Sequence, residues 1–185
     1  MLKKTLIAAS LFQAVAFFSQ QFGGMWIPTE INEKEMKSLG MKINATDIWS
    51  TQKPSIKDAV VQFNRGCTGE IISPKGLLLT NHHCGYSAIQ SHSTVDNDLL
   101  SNGFWAKNNK GELTNPGMVV DFVTDIKDIT KEILGNTTGL TDKELNKKIE
   151  ENIANYKKSQ KLEDYQSIIV KSMFAGNKYY AFTVE

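Results

Sequence analysis

The stretch C-T-G-E-I-I-S-P-K-G-L-L-L-T-N-H-H-C-G-Y, from Cys67 to Tyr86, decides the fold. It holds both cysteines of the 185-residue chain and two of its three histidines, His82 and His83. Thr68 to Ile72 reads as a strand. Ser73-Pro74-Lys75-Gly76 reads as a hairpin turn, with Pro and Gly where type I turns favour them, and Leu77 to Thr80 as the returning strand. A further strand, Ala59 to Phe63, precedes them across the turn Asn64-Arg65-Gly66. Three short strands with tight turns predict an antiparallel barrel rather than a βαβ unit. The apolar run Leu77-Leu78-Leu79 delivers Thr80, Asn81, His82, His83 and Cys84 to the end of the third strand, at the barrel rim. An imidazole presented there has three uses: general base, metal ligand or packing residue.

The segment before this hairpin bears on the cysteines. Met1-Leu2-Lys3-Lys4 is a basic start, Thr5 to Phe18 is apolar, and no further charge occurs before Glu30. Ala14-Val15-Ala16 fits a small-x-small cleavage site, so residues 1–20 read as a secretory signal peptide, with a boundary between 16 and 22. The apolar run is interrupted by Ser10 and Gln13 and falls short of the ~20 residues a membrane span needs. Export makes one disulfide, Cys67 to Cys84, the economical use of two cysteines. It closes a loop of about 16 residues, worth roughly 3 kcal/mol in the chain-entropy model. Residues 21–185 then form one mainly β domain with added helices, of α+β class. Without Lys3 and Lys4 the formal charge moves from +1 to −1, which gives no reason to expect nucleic acid as a partner.

Other elements follow from periodicity. Glu30 to Leu39 has helical spacing and Gly40 is a natural stop. Trp26 and Trp49 suit core or lid positions. Ser87 to Leu100 is partly helical, and Met118 to Val123 is a strand after Pro116-Gly117. Ile126 to Leu134 reads as transitional. Thr141 to Glu144 is a capping box, and Leu145, Ile149, Ile153 and Tyr156 line one face of the helix it opens. Ser167 to Phe174 and Lys178 to Val184 form a hairpin around Ala175-Gly176-Asn177. The chain reaches Glu185 in mid-strand, so the domain reads as truncated. Asn44-Ala45-Thr46 and Asn136-Thr137-Thr138 match the glycosylation sequon and carry little weight.

An imidazole titrates near neutral pH, and a disulfide beside it would hold it in position for proton transfer. Cys67 to Cys84 resembles the segment of chymotrypsin-like serine peptidases that ends in Thr-x-x-His-Cys; Thr80-Asn81-His82-His83-Cys84 fits that ending. The resemblance makes His83 the catalytic histidine and His82 its neighbour. More specifically, the chain resembles the secreted bacterial dipeptidyl aminopeptidases of dipeptidyl-peptidase types seven and eleven. Gly24-Met25-Trp26, Asp47-Ile48-Trp49-Ser50, Lys53 to Val61, Gly66 to Ser73, Gly76 to Tyr86, Gly103-Phe104-Trp105-Ala106 and Asn115-Pro116-Gly117 carry that likeness. It covers about residues 23 to 185. It implies a serine-type peptidase that releases dipeptides from the free N-terminus of oligopeptides, in the periplasm or outside the cell, with no cofactor and no metal. A homodimer of the full-length protein stays open.

The same resemblance shows what this chain lacks. Family members are several times longer, and their nucleophilic serine lies in a downstream Gly-Asn-Ser-Gly-type motif absent here. Ser87, Ser91 and Ser93 lack the Gly-x-Ser-Gly setting and are set aside. Asp121 and Asp125, 38 and 42 residues after His83, are weak substitutes for the family's downstream aspartate. Two other classes compete. One is a metal-binding module using Cys67, His82, His83, Cys84 and His92, disfavoured because neighbours on a strand alternate faces. The other is a non-catalytic secreted barrel that binds a partner and merely packs His83.

Overall fold

The computed structural model describes residues 25–185, so the expected signal peptide lies outside the described residues. The chain divides into a unit ending at Ala45 and a unit from Thr46 to Glu185. In the first, a 3-10 turn over Pro28–Glu30 precedes helix α1 (Glu33–Ser38). The Asn32 side chain caps α1 by accepting from the Glu35 amide at 3.2 Å, and Gly40 ends it at φ +107°. The helix is shorter than its apolar spacing suggests because Pro28 opens a separate turn. Trp26 is exposed, which removes it from the core.

Helix α2 (Ala45–Ile48) begins at the last residue of the first unit and runs into the second. The second unit continues through β1 (Val60–Phe63), β2 (Cys67–Ile71), β3 (Leu78–Thr80), α3 (His82–His92), α4 (Leu99–Asn102) and β4 (Val120–Asp128). It closes with α5 (Thr130–Leu134), α6 (Asp142–Ser159), β5 (Ser167–Met173) and β6 (Lys178–Val184). The strands form one six-stranded antiparallel sheet in the order β3-β2-β1-β4-β6-β5. The architecture is α+β as expected. The expected barrel is not closed: β3 and β5 are the two edges of an open sheet. With only three residues, β3 offers little ladder for a closing partner.

β4 is the strand that joins the halves. Its first residues pair with β1, Val61 opposite Phe122, and the rest pair with β6, Ile126 opposite Phe182. A register shift between Val123 and Asp125, within the β4–β6 ladder, bends the strand. The segment from Ile126 onward, read as transitional, therefore continues β4 to Asp128 before α5 begins.

One core lies against β5 and β6, where Ile129, Ile133, Ile168, Tyr179 and Ala181 are buried together. The apolar face of α6 supplies Ile149, Ile153 and Tyr156 to it, as the helical spacing requires. The capping box at Thr141 and Glu144 is formed, and Asn152 Nδ2 donates to the Ile133 carbonyl at 2.8 Å, pinning α6 to α5.

Asp128 locks the end of β4. Its carboxylate accepts from Lys178 Nζ on β6 and, at 2.9 Å, from the Thr130 amide that starts α5. These bonds, the lysine first, hold its pKa down at about 2. The folded pKa lies below the unfolded one, so this stabilisation is present above about pH 4 and is lost as pH falls through about 2. With the side chain about one-third exposed, we discount the full shift to about 1 kcal/mol. Asp128→Asn is expected to cost that amount at pH 7 and to flatten the acid limb of a pH series of thermal unfolding midpoints.

Candidate active site

The hairpin of β2 and β3 sets the position of the site. Gly69 faces Thr80 across the ladder, and a Cβ added at Gly69 would meet Leu78 Cδ2 at 3.0 Å and the Leu79 carbonyl oxygen at 3.1 Å. A side chain there would push the two strands apart by a few tenths of an ångström, and glycine avoids that. Thr80 Oγ1 then donates to the Thr68 carbonyl at 2.7 Å and fixes the strand end.

Asn81 is extended, at φ −74° and ψ 147°, and helix α3 begins at the next residue. His82 and His83 thus occupy the first helical turn rather than a strand end, and the helix starts five residues earlier than the apolar spacing suggests. Asn81, a residue type favoured at N-caps, is the sequence signal for that start. Cys84, the third residue of α3, is bonded to Cys67, the first residue of β2, with Cα atoms 6.1 Å apart. The bond staples the helix start to the sheet.

His83 is exposed, and one of its ring nitrogens lies within 4.8 Å of the cysteine sulfurs. His82 is engaged elsewhere: its ring meets Tyr86 edge-on, with centroids 5.8 Å apart. The two neighbours therefore differ in surroundings. Both imidazoles are exposed; one borders the disulfide, and the other meets the Tyr86 ring one helical turn along.

Cys67, His83 and Cys84 are close enough to resemble a metal site, but both sulfurs are consumed by their mutual bond. What remains is a single imidazole, which does not make a zinc site. The reason differs from strand alternation, since His82, His83 and Cys84 lie on the first turn of a helix. His92, the other histidine considered, ends α3 and bonds through Nε2 to Asn115 Oδ1 at 3.2 Å.

Among the described residues, neither Asp121 nor Asp125 is hydrogen-bonded to His83. Asp121 sits on β4 opposite Gln62. Asp125 accepts from the Ile126 amide at 2.9 Å and lies 3.8 Å from Lys127 Nζ. Ser91 Oγ donates to the Ala88 carbonyl at 2.7 Å, and Ser93 Oγ to the Ile89 carbonyl at 3.1 Å, so both serve the helix. A feature that sequence reasoning missed is a groove of about 300 Å³ beside the second half of α3, walled by Asn64, Ser87, Ser91, His92 and Asn115. These residues come from three separate segments, and no local pattern announces that they meet.

A family model described as Peptidase S46 matches residues 22–185. The Asp/Glu-specific dipeptidyl-peptidase of Capnocytophaga gingivalis is 49% identical over 98% of this chain and 26% of its own length. The Dipeptidyl-peptidase 7 of Porphyromonas gingivalis is 37% identical over 97% of this chain and 26% of its own length. The crystal structure of Porphyromonas endodontalis DPP11 superposes with a TM-score of 0.68 at 38% identity, covering 89% of this chain and 24% of that one. The same protein in complex with the dipeptide Arg-Glu gives a TM-score of 0.67 at 38% identity, over 88% of this chain and 25% of that one. The chain spans about a quarter of the length of these relatives. Matched by that family model over all of its described residues, the chain belongs to the Peptidase S46 family.

Proposed function

We propose that this chain is the N-terminal part of a serine-type dipeptidyl aminopeptidase and that His83 is its general base. The observation that carries the reading is His83 itself: an exposed imidazole seated against the Cys67–Cys84 bond at the start of α3, in a chain of this family. The serine, the aspartate and the oxyanion-hole amides come from sequence beyond this chain. In the reaction, His83 takes the proton from the serine hydroxyl as Oγ attacks the carbonyl of the substrate's second residue. The tetrahedral intermediate collapses, the peptide C–N bond breaks, and the His83 imidazolium protonates the leaving amine. Water activated by the same imidazole then releases the dipeptide.

Several features support the rest of the reading. The open sheet, with an apolar hollow of about 490 Å³ edged by Val60, Val123, Ile169 and Phe182, suits one wall of a chymotrypsin-like barrel. Lys3, Lys4 and the apolar run to Phe18 support export to the periplasm or beyond the cell. Among the described residues, no helix is long and apolar enough to cross a membrane. Acidic second residues are the expected preference, because relatives at 49% and 51% identity are Asp/Glu-specific dipeptidyl-peptidases.

The test is mass analysis of the first product from hexapeptides incubated with the full-length protein. Release of the N-terminal dipeptide from the free peptide, none from its acetylated form, and faster release with Asp or Glu than with Leu second are expected. Single residues or internal fragments as first products would sink the proposal.

A further inference from the structure

The groove beside α3 faces the consequence of such a reaction. A dipeptidyl peptidase holds only two residues on one side of the scissile bond. On the other side it must accept the rest of the oligopeptide, whose side chains vary from substrate to substrate. A surface for that chain has to recognise the backbone, which is neutral and presents N–H donors and carbonyl acceptors in alternation. We propose that the groove walled by Asn64, Ser87, Ser91, His92 and Asn115 is the binding site for the extended leaving segment of the substrate, a reading that rests on His83 as the base.

Three observations support it. First, His83, Ser87 and Ser91 are spaced i, i+4 and i+8 on α3, so a helix face leads from the base into the groove. Eight helical residues rise about 12 Å. At about 3.3 Å per extended residue, that length takes three to four residues of leaving chain.

Second, the groove carries the right chemistry. No Asp, Glu, Lys or Arg lines it, so it does not select for side-chain charge. Among the described residues, the Ser87 hydroxyl and the Asn64 carboxamide have no hydrogen-bond partner, and both groups can donate and accept. Ser91 Oγ gives its proton to the Ala88 carbonyl and keeps its lone pairs for an incoming peptide N–H.

Third, the far wall is fixed in place. Asn115 Nδ2 donates to the Leu113 carbonyl at 3.2 Å, which leaves Oδ1 as the acceptor for His92 Nε2–H at 3.2 Å. That pair links the end of α3 to the loop across the groove.

The experiment measures kcat/KM of the full-length protein on a dipeptidyl chromogenic reporter and on peptides with one to six residues beyond the same dipeptide. In the wild type, kcat/KM is expected to rise about tenfold up to roughly four leaving residues and then level off. Ser91→Trp, which fills the groove, and Asn64→Ala, which removes a partner, are each expected to erase most of that rise. Each variant's own reporter turnover serves as the reference and shows that it is folded. A wild type with no length dependence, or variants that keep the full rise, would overturn the groove while dipeptide release stands. No dipeptide release from any substrate would instead bring down the reading of His83, and this proposal with it.

Discussion

His83→Ala in the full-length protein is expected to lower kcat on dipeptidyl substrates by about 10⁴-fold or more, with little change in KM. The loss is large because the imidazole acts in both halves of the reaction. Without it the serine hydroxyl attacks unassisted and the amine leaves without a proton. Residual turnover would come from substrate binding and oxyanion stabilisation supplied outside this chain. His83→Gln should fare no better, since an amide of similar reach cannot shuttle a proton. His83 is exposed on the first turn of α3, so its replacement leaves the core intact, and an unchanged unfolding midpoint would check this.

The second large effect concerns the Cys67–Cys84 bond. Replacing both cysteines by serine is expected to destabilise the fold by roughly 3 kcal/mol, the loop-closure value for a bridge of this span. The bond also holds the start of α3 against β2, and His83 lies within it by one residue. Activity should therefore fall under conditions where the variant is still folded, and kcat should suffer more than KM. Treating the wild type with a thiol reductant should reproduce both changes and leave the double serine variant unaffected. Equal denaturation midpoints and equal kcat for wild type and double variant would refute the positioning role.

What could be read from the chain beforehand follows from how local each signal is. The capping box of α6 lies within four residues, and the apolar face built from Ile149, Ile153 and Tyr156 within eight. The β5–β6 hairpin and the pairing of two lone cysteines are similarly compact signals. The start of α3 was harder to see. Leu77-Leu78-Leu79 is an apolar run that reads as strand, and only Asn81 hints that the chain turns into a helix at His82. The kink in β4 is invisible in sequence because a bulge is defined by the partner strand, here β6. The open sheet belongs to the same category, since closure depends on which edges meet. The groove draws Asn64 from the β1–β2 turn, Ser87 and Ser91 from α3, and Asn115 from the loop before β4. His83 was legible through its setting, Thr80 to Cys84; its contrast with His82 needed the structure, which gives one ring to the disulfide and the other to Tyr86.

That contrast offers the most direct test of the central claim, that one histidine of the pair is the base. Turnover of a dipeptidyl substrate should be measured for His82→Ala and His83→Ala side by side in the full-length protein. His83→Ala should lose about four orders of magnitude or more, while His82→Ala, which loses only packing against Tyr86, should stay within about tenfold of wild type. Equal losses in the two variants, or a greater loss at His82, would contradict the assignment.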